Sequence, residues 1–266
     1  MTEGGSAAIL HIPHGSITIP EDLRTSFLLE DKALQQELLR MTDWHTEDLF
    51  GVPGLQRIVF PVSRLVVDPE RFLDDDQEVM AARGMGVVYT RTSGGEPLRV
   101  PPSPEERAWL IDRLYQPHHR SLSEAVNSAL DQHGYALVID CHSFPSEPLP
   151  CDLDQDPDRP DLCIGTDLFH TPGWLRDATI SAFQAADSGL SIGLNRPYSG
   201  ALVPLESWNQ DSRVLAVMVE VNRRLYLDEG TGQPSDQMPT IQGLIRTAIA
   251  RLVSAFLARL GQSPMA

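Results

Sequence analysis

Short runs of β-branched and other apolar residues punctuate the chain at 8–12, 57–60, 65–67, 86–89, 136–139, 161–164 and 214–221. Each run has about the length of a buried strand. Between them, residues 32–40, 104–132, 173–186 and 240–260 carry apolar side chains at helical spacing, and the second of these stretches is predicted to break into two helices near Pro117. Strands that alternate with helices predict an α/β protein with a mixed, mostly parallel sheet flanked by helices. No internal repeat and no polar linker between unlike compositions interrupts the pattern, so 1–266 reads as a single domain. Residues 68–104 and 144–160 break the periodicity with acidic, glycine-rich and proline-rich sequence, and loops of that length often form lids or binding loops.

Charge narrows the class of function. The 266 residues hold 21 Lys+Arg against 37 Asp+Glu, a net charge of −16 with a pI of about 4.8, which excludes a general nucleic-acid binder needing a basic face. With 41% hydrophobic and 22% charged residues the chain has the composition of a globular protein rather than a disordered one. No stretch reaches the roughly 18 uninterrupted apolar residues of a membrane span, and the first residues lack a basic segment followed by a long apolar core. A cytoplasmic protein without a membrane partner is therefore expected. Cys141, Cys151 and Cys163 are odd in number and lack C-x-x-C spacing, which argues against a disulfide framework and against a structural zinc finger.

Candidate chemistry gathers where the apolar runs end. His11 and His14 close the first run, and Asp140, His142 and Ser143 close the fifth; in open α/β sheets such strand ends border the ligand crevice. Two histidines and a carboxylate suffice for a catalytic zinc with an open position, and Asp140 is suited to orient a ligating imidazole. The segment Thr42 to Asp48 can supply the carboxylate. Asp43 reads either as a helix cap or as a ligand, with His45 and Glu47 as substitutes. Glu220 ends the last apolar run, either paired with Arg223 or Arg224 or serving as a general base. Arg64 and Arg71 are scarce cations, open to pairing with Asp68 or Glu70 or to gripping a substrate carboxylate. His118 and His119 lie in helical pattern, near the site or on the surface. Phosphate-loop, dinucleotide and nucleophile-elbow motifs are absent from the sequence.

Taken in order, I-P-H-G at 12–15, T-D-W-H at 42–45, S-R-L-V-V-D at 63–68, D-C-H-S at 140–143 and E-V-N-R-R-L-Y at 220–226 resemble the N-formylglutamate amidohydrolase family. Y-Q-P-H-H at 115–119 and N-R-P-Y-S-G at 195–200 look like segments of the same family. The resemblance implies a fold related to zinc carboxypeptidases and aspartoacylase, and hydrolysis of an amide with one zinc or another divalent metal. It further implies His14, Asp43 and His142 as metal ligands, Glu220 as the base, and Arg64, Arg71, Asn195 and Tyr198 as substrate-binding residues. The partner is then a small N-acyl amino acid such as N-formyl-L-glutamate. Alternatives are an N-acyl-amino-acid or peptide hydrolase of other specificity, or a non-catalytic module that binds an acidic metabolite. One departure falls near the expected pocket: family deformylases read Asp-x-Asn-Arg where this chain reads Asp68-Pro69-Glu70-Arg71.

Overall fold

A computed structural model describes residues 6–260. In chain order its elements are β1 (Ala8–Ile12), α1 (Glu21–Arg24), α2 (Asp31–Met41), α3 (Thr46–Leu49), β2 (Gln56–Val59), α4 (Pro104–Leu110), α5 (Gln116–His133), β3 (Ala136–Phe144), β4 (Leu162–Gly165), α6 (Gly173–Ala186), β5 (Ile192–Leu194), β6 (Val214–Asn222), the paired β7 (Leu227–Asp228) and β8 (Gln233–Pro234), and α7 (Met238–Leu260). Six strands form one sheet in the order β2-β1-β3-β6-β4-β5. The strands β2, β1, β3 and β6 run parallel, while β4 is antiparallel to β6 and carries β5 beside it. The sheet is thus mixed and mostly parallel, as the alternation of elements predicts.

Every residue of β1, β3 and β6 is buried, which is why these strands read as continuous apolar runs rather than alternating ones. Leu10, Ile139, Val217 and Val219 face α6 and α7, where Phe183, Ile249 and Phe256 complete the core. Ile9, Val138 and Ala216 face the other way, onto Leu122 and Val126 of α5. By length and composition α7 is apolar enough to cross a membrane, yet Ile245, Ile249, Leu252 and Phe256 are buried in the core.

Three expectations change. The runs at 65–67 and 86–89 are not strands; their side chains fill a second apolar cluster under the long loop, and a single bond from Asp68 N to Val87 O (2.9 Å) joins them. Burial without a ladder partner produces the same apolar signature as a strand. The helix does not break at Pro117, because a π turn at Ile111–Tyr115 joins α4 to α5 and leaves proline in the first turn of α5, where its missing N–H costs little. The short strand β5 lacks an apolar run of its own and was not expected.

Candidate active site

Parallel pairing brings the carboxyl ends of three strands side by side. His11 of β1 lies opposite Asp140 of β3, and His142 of β3 lies opposite Glu220 of β6. His14 follows β1 in the loop beyond Pro13, and Asp43 reaches it by a backbone bond from Asp43 N to His14 O (3.0 Å). Gly15 permits this closure, since a Cβ there would stand 2.8 Å from Thr46 Oγ1. Asp43 caps no helix: the residue preceding α3 is His45, in the left-handed region at φ 61°, and the Asp43 side chain turns into the site. Its Oδ2 lies 3.1 Å from His142 Nδ1 and 3.8 Å from His14 Nδ1, so one carboxylate oxygen faces the same nitrogen of both imidazoles. The substitutes considered from the sequence are elsewhere, His45 on the carbonyl of Gly232 and Glu47 beside Arg57.

The loop after β2 closes the opposite edge of the two rings. His14 Nε2 meets Asp68 Oδ1 at 2.9 Å, and a proton on that nitrogen leaves Nδ1 as a lone pair aimed at Asp43. Asp68 Oδ2 also accepts from Arg64 Nη2 at 2.9 Å and from the Tyr89 hydroxyl. Glu70 lies 3.2 Å from His142 Nε2 and 3.7 Å from His14 Nε2. Two donor sets therefore flank the histidine pair, Asp43 on the Nδ1 side and Glu70 on the Nε2 side. Of the eight buried side-chain atoms lacking a hydrogen-bond partner among the described residues, five belong here: His14 Nδ1, Glu70 Oε1, Arg71 Nε, His142 Nε2 and Glu220 Oε2. Buried polar atoms are normally paired, so such a concentration marks a place suited to a ligand.

Glu220 makes no ion pair among the described residues. Arg223, one candidate partner, donates to Asp43 Oδ1 (3.0 Å), Ser143 and the carbonyl of Arg40; Arg224, the other, reaches Asp161 at 2.8 Å. Burial pushes the Glu220 carboxyl up to about 8, with Asp43 and Glu70 adding to the rise and His142 opposing it. Burial would also raise Asp43, but the hydrogen bond from His142 and the charges of His14, His142 and Arg223 outweigh it and hold Asp43 at about 2. Burial and Arg64 lower His14, which favours the neutral form a metal requires. Against its own burial, His142 is raised by Glu70, Asp140 and Asp43.

These groups open on a cavity of about 330 Å³ that Arg64, Arg71, Tyr198 and Glu220 help to line. The two arginines differ. Arg64 is committed to Asp68 and Tyr89, whereas the Arg71 guanidinium makes no hydrogen bond among the described residues and stands 3.6 Å from Asp68 and 4.0 Å from Glu78. Tyr198 donates to Asp152 and accepts from Arg159. Asn195 is not brought to the cavity; its side chain bonds the backbone and hydroxyl of Thr166 and holds the turn that leads to Tyr198. The sequence offers Asp68 and Glu70 only as pairing partners of Arg64 and Arg71, whereas both also meet the histidine pair. His118 is buried, with Nε2 2.8 Å from His11 Nε2, and is not part of a surface pair.

The profile of the N-formylglutamate amidohydrolase family matches residues 6–227. The chain is 25% identical over 262 residues to an N-formylglutamate deformylase of Pseudomonas putida, covering 96% of this chain and 94% of that one. It is 27% identical over 256 residues to an N-formylglutamate deformylase of Pseudomonas aeruginosa, covering 94% and 92%. In fold it is similar to the crystal structure of N-formylglutamate amidohydrolase from Ralstonia eutropha JMP134, with a TM-score of 0.79, 22% identity, and 97% and 95% of the two chains covered.

Proposed function

The chain belongs to the N-formylglutamate amidohydrolase family, and on that footing we propose that it hydrolyses the formyl amide of N-formyl-L-glutamate, with His14, Asp43 and His142 holding one divalent metal, zinc, and Glu220 as the base. The observation that carries this reading is the pair of Nδ1 atoms facing one Asp43 oxygen, beside an unpaired carboxylate on the next strand. His14 Nδ1 is buried and without a hydrogen-bond partner among the described residues, a costly state that a cation relieves, and two imidazoles with a carboxylate form a common catalytic zinc set. When bound there, the metal supplies Lewis-acid polarisation of the formyl carbonyl and of a water molecule.

The remaining work belongs to side chains. Glu220 takes a proton from the attacking water and returns it to the amide nitrogen as the C–N bond breaks, giving formate and glutamate. Arg71, whose guanidinium makes no hydrogen bond among the described residues and lines the cavity, grips a substrate carboxylate. Arg64 holds Asp68, Asp68 holds His14, and the arginine thereby positions a metal ligand while adding positive charge to the cavity. Tyr198 lines the same cavity and borders the substrate there. The partner is a small N-acyl amino acid.

Formate release from a panel of N-formyl and N-acetyl amino acids, by protein stripped with a chelator and by the same protein reloaded with zinc, tests the reading. The expected result is zinc-dependent formate from N-formyl-L-glutamate at a higher kcat/KM than from neutral N-formyl amino acids. No formate from that substrate at any metal loading sinks it.

A further inference from the structure

The Nε2 edge of the histidine pair carries a second set of donors, which the hydrolytic reading leaves unused. His11 Nδ1 lies 2.8 Å from Asp140 Oδ1, Asp140 Oδ1 lies 3.1 Å from His142 Nε2, His142 Nε2 lies 3.2 Å from Glu70 Oε1, and Glu70 Oε1 lies 3.7 Å from His11 Nδ1. The four atoms close a ring that alternates imidazole nitrogen with carboxylate oxygen. Four donors at roughly 2.0 to 2.2 Å from one ion stand about 3.3 to 3.6 Å apart in a tetrahedron, close to the spacing of this ring. Two of the four, Glu70 Oε1 and His142 Nε2, are buried atoms without a hydrogen-bond partner, and His142 as a residue is only 3% exposed.

We propose that His11, Glu70 and Asp140, closed by His142 Nε2, form a site for a second divalent first-row cation beside the one held by His14, Asp43 and His142. The inference rests on the first site being read correctly, since His142 then gives up its ring protons to solvent and, as an imidazolate, serves both ions, Nδ1 on the side of Asp43 and Nε2 on the side of Glu70. Surrounding contacts suit such a site. A ligating imidazole needs an acceptor for its other N–H, and His11 Nε2 lies 2.8 Å from His118 Nε2, so His11 donates there while its Nδ1 binds. Asp140 is held by the N–H of Leu202 on its second oxygen (2.9 Å), which leaves Oδ1 for the ring. Glu70 is anchored through its backbone N–H to Asp68 Oδ1 (3.0 Å), placing its carboxylate between the two histidines.

Elemental analysis of full-length protein, saturated with zinc or manganese and then freed of excess ion, counts cations per chain, and Glu70→Gln and His11→Asn are read beside the wild type. The expected counts are two in the wild type, one in each of these variants, and one in Asp43→Asn, which empties the first site. In the manganese form an exchange-coupled electron paramagnetic resonance signal is expected from the wild type and is lost in Glu70→Gln. Circular dichroism confirms that each variant is folded. One cation in the saturated wild type that is lost in Asp43→Asn overturns the second site while leaving the first intact, and one that is retained in Asp43→Asn overturns the first. Two cations retained in both Glu70→Gln and His11→Asn also overturn it, and a count of zero overturns both sites.

Discussion

Glu220 illustrates how much a single buried carboxylate depends on what its neighbours are doing. The arginines that could neutralise it are engaged with Asp43 and Asp161, so its charge has no ion-pair partner among the described residues and its proton affinity is high for a carboxyl. Glu220→Gln keeps the shape and removes the basicity; we expect kcat to fall by about 10² to 10⁴ fold while the first cation stays bound. Near-normal turnover in this variant moves the base elsewhere. The two arginines separate in the same way. Arg71→Ala should lower kcat/KM for N-formyl-L-glutamate by roughly 30 to 1,000 fold, with a much smaller effect on neutral N-formyl substrates. Arg64→Ala should instead strip Asp68 of its closest counter-charge and destabilise the fold by about 3 to 5 kcal/mol, read as a lower urea midpoint. Equal losses on acidic and neutral substrates in Arg71→Ala argue against its role as a carboxylate grip.

Among the elements, the strands and the long loop contribute to the site in different ways, and they were not equally legible. The strands β1, β3 and β6 are wholly buried, so their apolar runs announce them, and polar residues at their ends mark His11, Asp140, His142 and Glu220 as candidates. Parallel pairing converts that pattern into adjacency without further information. The loop after β2 works through contacts that no local pattern encodes. Glu70 meets His142 from 72 positions away, and Asp68 meets His14 from 54. Its apolar runs mimic strands because they are buried, although they pack a separate cluster. The one available signal was chemical: Glu70 is an acid in the same short segment as Arg64, Asp68 and Arg71. Asp43 shows the opposite difficulty, since cap and ligand draw on the same residue type; the structure shows that it caps no helix and approaches both Nδ1 atoms. If the loop acts chiefly by orienting the metal ligands, Asp68→Asn should weaken the affinity of the first site about 10- to 100-fold, because His14 loses its charged partner. Calorimetric titration of metal-free protein measures this, and an unchanged affinity shows that the loop holds substrate alone.

At the scale of the whole molecule the site gathers buried groups whose titration is shifted, and this ties global stability to pH in a definite direction. Burial raises Glu220 to about 8 from its ordinary carboxyl range, and Glu70, Asp140 and Asp43 raise His142 against its own burial. Between pH 7 and 8.5 the metal-free folded state therefore holds protons that the unfolded chain has already released, and its stability must fall as pH rises. Groups shifted the other way do not disturb this window. His14, His118 and His119 are lowered by burial, so their effect is to raise stability with pH, and it is complete once the unfolded histidines have lost their protons near 6.5. The lowered Asp43 and Asp68 act only in acid, supplying stability above the ordinary Asp range that is lost as pH falls toward their depressed folded values. A metal bound as proposed would replace the proton on His142 and favour ionised Glu220, so the gap in Tm between loaded and stripped protein should widen across pH 7 to 8.5. Glu220→Gln removes one of the two responsible groups, and the stripped variant should lose less stability over the same range than the stripped wild type. Thermal unfolding of both proteins, with and without zinc, at closely spaced pH values provides the measurement. A stripped wild type whose Tm stays level or rises between pH 7 and 8.5 would show that Glu220 and His142 are already relieved by groups within the fold, and the case for a cation at their expense would fail.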